Sequence, residues 1–356
     1  MKKRLINEQA ASTCYFRTST IYPKRKALVQ ITEKCNLNCK HCFVSATNKG
    51  RQIDIEDIEH IIIPKLKKCE VISVTLTGGE PFLHHDIISI VSLLNKNNIS
   101  VGICSNASII NKEQIEKLSH IKNVHINVSL DGFSSESHGK FRGNENLFEK
   151  TIDTIKSLGK YRLLQGILVT PNKLVNIDEY SDICLFAIQN HAKYVLFNPL
   201  SPFGRGLENI DLGISQKKLE EIERIIEKYK KTIEIVKIRF PNTQKLPLSP
   251  CEAGKIFYIF ATGDIAICPY LVFASKIPQS IYSPEEFIIG NVFKDTDINE
   301  RINVYDFKRQ PSESNIKCQK CQIKIFCGKG CPAAVIASGK KLNEIDEEIC
   351  PYSLIN

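Results

Sequence analysis

Leu28-Val29-Gln30-Ile31-Thr32-Glu33-Lys34-Cys35-Asn36-Leu37-Asn38-Cys39-Lys40-His41-Cys42 runs a short β-branched strand directly into a Cys-x3-Cys-x2-Cys loop. Thiolates this close together can wrap one face of a metal cluster, and soft sulfur donors select iron–sulfur or zinc. Three ligands leave one corner iron of a cubane free for a substrate or cofactor. A zinc ion needs a fourth donor, and His41 is a weak one because its neighbours compete for the same geometry. The bland alternative is three buried structural cysteines.

Outward from this loop, β-branched runs alternate with amphipathic stretches as far as Pro199. Strands are expected at Leu28–Ile31, Ile72–Leu76, Ser100–Cys104, Val124–Leu130, Leu164–Val169 and Tyr194–Phe197. Helical periodicity falls between them at Glu56–Lys68, Ile87–Asn95, Lys112–Leu118, Leu147–Leu158 and Asp178–Gln189. This alternation implies βαβ units, right-handed crossovers and a parallel sheet, an α/β fold. The pattern fits an open doubly wound sheet and a partial barrel equally. A further helix, Gln216–Lys231, follows a Ser215 N-cap, and Pro241, Pro247 and Pro250 mark a stiff linker. Beyond it, turns, a hairpin and clustered cysteines replace the helices. The expected organisation is a tail over 1–24, the α/β domain over 25–240 and a cysteine-rich domain over 241–356.

The expected strand ends carry further polar signals. After the second strand comes Thr77-Gly78-Gly79-Glu80-Pro81, in which two glycines admit close backbone approach and a carboxylate can accept from an ammonium group. Ser105-Asn106 ends the third strand, and Ser129-Leu130-Asp131-Gly132 ends the fourth. Arg142 follows in Gly139-Lys140-Phe141-Arg142-Gly143, and a guanidinium suits a carboxylate partner. Each alone reads as a turn residue or a surface charge. Together, in this order, they sit where parallel α/β folds put their chemistry.

This combination resembles the radical S-adenosylmethionine (SAM) superfamily. The resemblance implies a partial (β/α)6 barrel with a 4Fe–4S cluster on Cys35, Cys39 and Cys42, whose free iron chelates the methionine moiety of SAM. One-electron transfer then yields a 5′-deoxyadenosyl radical that abstracts a substrate hydrogen atom. Gly78, Gly79 and Glu80 would receive the SAM amino group, with Asn106 near the ribose, Arg142 on the carboxylate and Ser129 also in contact with SAM.

A second group, Cys251, Cys268, Cys318, Cys321, Cys327, Cys331 and Cys350, exceeds one tetrahedral site and implies two metal centres. Ile256–Ala261 and Ile265–Cys268 read as a β-hairpin turning at Gly263. Paired zinc ribbons have similar spacings. Beside the first loop, the seven cysteines resemble the SPASM extension, which makes the resemblance span Leu28 to Cys350. It implies Cys251, Cys268 and Cys331 on auxiliary cluster I, and Cys318, Cys321, Cys327 and Cys350 on auxiliary cluster II. Anaerobic sulfatase maturases have another cysteine before the glycine and an aspartate after the second hairpin cysteine. Here Glu252–Thr262 holds no cysteine, and Pro269 and Tyr270 follow Cys268, so sulfatase maturation is disfavoured. Cluster I is thus expected to have an open iron, filled by a substrate thiolate in a thioether-forming reaction, by water or Tyr270, or by an unassigned cysteine. Cys69, Cys104 and Cys184 read as core cysteines, and Cys14 lies in the tail.

Composition excludes several other roles. Fourteen cysteines among 356 residues, with no secretion signal, favour metal over disulfides. A net charge of +9, spread along the chain, favours neither nucleic acid nor a membrane surface, and no apolar run spans a bilayer. A cytoplasmic enzyme is expected, with flavodoxin or ferredoxin as reductant. Residues 1–24 leave no room for an N-terminal peptide-binding winged helix, so a peptide substrate would need a separate recognition protein or a groove in the chain itself. Three readings remain: a peptide-modifying enzyme, an enzyme acting on a tetrapyrrole side chain, sugar or aminocyclitol, and a non-catalytic zinc protein.

Overall fold

The structure, a computed structural model, describes residues 9–15, 20–304 and 315–351. The strands are β1 (Arg25–Thr32), β2 (Val71–Gly78), β3 (Ser100–Ser105), β4 (Val124–Ser129), β5 (Leu164–Val169), β6 (Tyr194–Phe197), β7 (Glu234–Lys237), β8 (Ile256–Ile259), β9 (Asp264–Ala266) and β10 (Ile288–Asn291). They form a sheet in the order β10-β9-β8-β1-β2-β3-β4-β5-β6-β7. From β8 through β1 to β7 every pairing is parallel. Six strand–helix units make up the wall of a partial (β/α)6 barrel, which resolves the choice that periodicity left open.

Alternation of side chains explains the two faces of the wall. On β1, Ala27, Val29 and Ile31 are buried with Val74, Leu76, Val101, Ile103, Ile126, Val128 and Ile167 in one core under the helices. The amphipathic helix Phe148–Lys160 adds Ile152, Ile155 and Leu158 to it. The opposite positions turn inward and are unusually polar: Lys26, Gln30, Thr75, Cys104, His125 and Asn127. There the Tyr194 hydroxyl donates to Asn127 Oδ1 at 2.6 Å. Burial lowers the pKa of Lys26 below the ordinary lysine value and that of His125 to about 4.

Two features depart from the sequence reading. The hairpin of β8 and β9 does not stand free: β8 lies parallel against β1, with Lys26 opposite Ile256, so the cysteine-rich region continues the barrel sheet. All four β8 residues are buried, which suits a strand covered on both faces. The segment 11–15 also packs against the C-terminal region. The Ala11 amide donates to Pro247 O at 2.8 Å, and the Ser249 amide donates back to Ala11 O at 2.8 Å. Among the described residues, no helix is long and apolar enough to cross a membrane.

Candidate active site

The cysteine loop after β1 is built from outside as much as from within. Backbone amides of Gly79 and Glu80 donate to Thr32 O (2.9 Å) and Lys34 O (2.8 Å), docking the turn after β2 onto the loop. A Cβ on Gly78 would lie 2.1 Å from Thr32 O, and one on Gly79 would lie 2.2 Å from Lys34 O. Gly78 also has φ +147°, so side chains are excluded there twice over. On the far side, Arg205 donates through Nε to Cys39 O (2.9 Å) and through Nη1 to Ala46 O (2.8 Å). Its own amide donates to Cys42 O at 3.0 Å.

Strand ends supply the charged groups. Glu80 is fully buried: Oε1 accepts from the Phe82 amide (3.1 Å) and the Ser105 hydroxyl (2.8 Å), and Oε2 from the Asn106 amide (2.8 Å). Burial outweighs these bonds and raises the Glu80 carboxyl pKa to about 7. Asn106 Nδ2 donates to Asn36 Oδ1 at 3.1 Å, and Asn36 Nδ2 donates to Ser108 Oγ at 2.8 Å, tying the loop to the end of β3. Arg142 Nε donates to Asp131 Oδ2 at 2.6 Å, while its Nη1 lies 3.9 Å from Cys39 Sγ. Burial alone would raise the Asp131 pKa, but Arg142, with His41 and His138, outweighs it and holds the carboxyl below its usual range. Ser129 closes β4 on the inner face, two residues before Asp131.

The donor set fits a soft metal cluster. Cys35 and Cys39 are buried, and burial raises both thiol pKa values, Cys35 to about 12. Such thiols ionise when a cation replaces the lost water. His41 is stacked on Phe141, with ring centroids 4.3 Å apart. His84, His85 and Asp86 do gather, but both ring nitrogens of His84 are engaged, by Ile53 O and the Asp86 amide.

In the C-terminal region Cys318, Cys321, Cys327 and Cys350 line one cavity. Cys268 and Cys331 are buried together, with Cys251 packed against them. Phe257 points into the barrel core, and Tyr270 stacks on Tyr15 with ring centroids 4.9 Å apart. Between the two cysteine groups, Asp346 accepts from Arg239 Nη1 (2.6 Å), Arg239 Nη2 (3.0 Å) and the Cys331 amide (3.1 Å). Cys69 and Cys184 are buried, as read from the sequence, and Cys104 takes a weak contact from Asn127 Nδ2 at 4.0 Å.

Residues 29–180 match the radical SAM superfamily. The match marks a radical SAM domain over those residues. The superfamily's cofactors are a 4Fe–4S cluster and SAM. The chain is 26% identical over 332 residues to the antilisterial bacteriocin subtilosin biosynthesis protein AlbA of Bacillus subtilis (strain 168), covering 88% of this chain and 68% of AlbA. It is 26% identical over 358 residues to the AdoMet-dependent heme synthase of Methanosarcina barkeri (strain Fusaro), covering 91% and 95%. Streptococcus suis SuiB bound to S-adenosylmethionine superposes with a TM-score of 0.69 at 19% identity, covering 92% of this chain and 77% of SuiB. Alignments covering 88–92% of this chain extend beyond residues 29–180 into the cysteine-rich region.

Sequence reading missed three residues that brace these sites: Arg205, Asn36 and Arg239. Arg205 had a signal, since glycines flank it just beyond the β6 end.

Proposed function

We propose that the chain is a peptide maturase that cleaves SAM reductively and modifies a ribosomally made peptide by hydrogen abstraction, leaving a thioether, a crosslink or an epimerised residue. The observation that carries this reading is the one connected network at the strand ends, in which Arg142 reaches Cys39 and Glu80 is bonded by Asn106. Cys35, Cys39 and Cys42 would hold the catalytic cluster. Bound there, a 4Fe–4S cluster supplies the electron that splits SAM into methionine and a 5′-deoxyadenosyl radical. Gly78, Gly79 and Glu80 would receive the SAM amino group, with the Glu80 carboxylate held in place beforehand by three donors. Arg142, aimed by Asp131, would take the carboxylate, and Asn106 and Ser129 would lie along the nucleoside. Lys26, Asn127 and Tyr194 offer polar contacts to a substrate entering the barrel.

Cys251, Cys268 and Cys331 would hold one auxiliary cluster and Cys318, Cys321, Cys327 and Cys350 the other, making three clusters across a barrel domain and a SPASM domain that divide near Pro241. A flavodoxin or ferredoxin would reduce them in the cytoplasm, and a separate protein would present the peptide. The peptide assignment draws on AlbA and on SuiB, which is also known bound to its precursor peptide SuiA. The heme synthase, matched over 95% of its length, favours a second reading: a small-molecule substrate such as a tetrapyrrole side chain.

The test is anaerobic. Reconstituted protein should hold about twelve irons and, with dithionite, release 5′-deoxyadenosine from SAM. Cys35→Ala/Cys39→Ala/Cys42→Ala should lose about four irons and all SAM cleavage. Undiminished cleavage by this variant would remove the loop from the mechanism. Faster turnover with a cysteine-rich peptide than with porphyrin precursors distinguishes the two substrate readings.

A further inference from the structure

We infer that Cys14 is the fourth thiolate of the first auxiliary cluster, completing the set Cys251, Cys268 and Cys331. The inference rests on the cluster reading above and adds to it a ligand from the opposite end of the chain. Cys14 is 3% exposed, on a segment packed against the chain that carries Cys251 and Cys331. Its Sγ lies 3.9 Å from Pro250 O and 3.6 Å from Gly330 O, the carbonyls immediately preceding those two cysteines. Cys14, Cys268 and Cys331 share one buried cluster, with Cys251 packed on its edge. All four are free thiols.

The placement is enforced from several directions. The Thr13 amide donates to Ser249 Oγ at 3.2 Å, and the Arg239 amide donates to Ser12 O at 2.8 Å. Tyr15 stacks on Tyr270 and packs edge-on against Phe203, while the Arg239 guanidinium lies 5.6 Å from the Tyr15 ring. Residues 11–15 therefore form a strap fastened on both sides of Cys14.

Chemistry separates this thiol from an ordinary core cysteine. Cys69, just past the end of a helix, and Cys184, on a helix, are equally buried but belong to the apolar core, where a thiol acts as a small hydrophobe. Cys14 instead faces other sulfurs. Four unoxidised thiols converging in a buried pocket form a soft donor set that can satisfy every corner of a cubane. With Cys14 bound, no iron of this cluster is left for a substrate thiolate. The thioether logic drawn from an under-ligated iron then loses its basis, and the cluster's role is electron transfer.

The experiment uses the full chain, reconstituted anaerobically, in a Cys35→Ala/Cys39→Ala/Cys42→Ala background that leaves about eight auxiliary irons. A cubane with one iron lacking a protein sulfur responds to one-electron oxidation by ferricyanide by releasing that iron as Fe2+. The 3Fe–4S product has a distinctive electron paramagnetic resonance signal. The background chain should resist, with little signal. Adding Cys14→Ala should give about one 3Fe–4S spin per chain and about seven retained irons. Cys14→Val, which fills the pocket without a donor, should behave like Cys14→Ala. Equal signals with and without Cys14, or a Cys14→Val chain as resistant as the background, would overturn the inference while leaving the auxiliary clusters in place. A chain that takes up zinc and no iron would overturn both.

Discussion

Asp131 accepts Arg142 on one oxygen and the Thr170 amide, at 2.8 Å, on the other, and its own amide donates to His138 Nδ1 at 3.1 Å. The carboxylate is fully buried and Arg142 is 8% exposed, so neither charge has water in reserve. Removing one partner strands the other in a medium that solvates it poorly. Asp131→Ala should therefore cost about 3–5 kcal/mol, read as a lower urea midpoint, and Asp131→Ala/Arg142→Met should recover much of it. A double variant no more stable than the single one would show that the pair is not coupled. Arg142 was legible in the sequence as a carboxylate partner, but Asp131 registered only as part of a strand-end motif. Nothing local says that its side chain turns back toward Arg142; the fold of the chain between them determines that. Arg239 was invisible for the same reason, because its partners are acids far away in sequence.

The turn after β2 acts as a unit with the cysteine loop, since the two share backbone hydrogen bonds and have no space for a methyl group between them. Gly79→Ala would set a Cβ 2.2 Å from the Lys34 carbonyl and 2.9 Å from Cys35 Cβ, and a carbonyl cannot swing aside as a long side chain can. The loop should shift, with loss of about four irons and of SAM binding, while far-UV circular dichroism reports an intact barrel. Retention of both SAM and iron would mean that the docking is dispensable. The barrel elements were legible because each strand carries a buried run and each helix a stripe. The expected strands fall within β1–β6 to within a few residues. β7 and β10 escaped notice, being four residues each with weak alternation. The parallel seat of β8 beside β1 escaped too, because a fully buried run such as Ile256–Ile259 does not name its neighbour.

Across the whole molecule, packing is uneven. The barrel has a continuous core, whereas the helix Ile316–Gln319 buries none of its residues, and Ile325 and Phe326 are 82% and 78% exposed. Metal ligation by the four cysteines around this segment would supply order where apolar burial does not. Stripping iron with a chelator should speed tryptic cleavage at Lys317, Lys320 and Lys324 by about tenfold or more, with the barrel surviving as a resistant fragment. Equal cleavage rates with and without iron would assign that order to the polypeptide alone. The strap sets a further condition, on timing. The Cys14 Sγ contact to Gly330 O spans 316 residues. At ~5–20 residues per second, a ribosome takes roughly 15–60 s to make the intervening chain. The catalytic loop, whose three cysteines emerge almost together, is available for loading early in that interval. The pocket around Cys14 comes into being only once Cys331 has left the exit tunnel, so its occupancy by metal would report that the two ends of the 316-residue span have met.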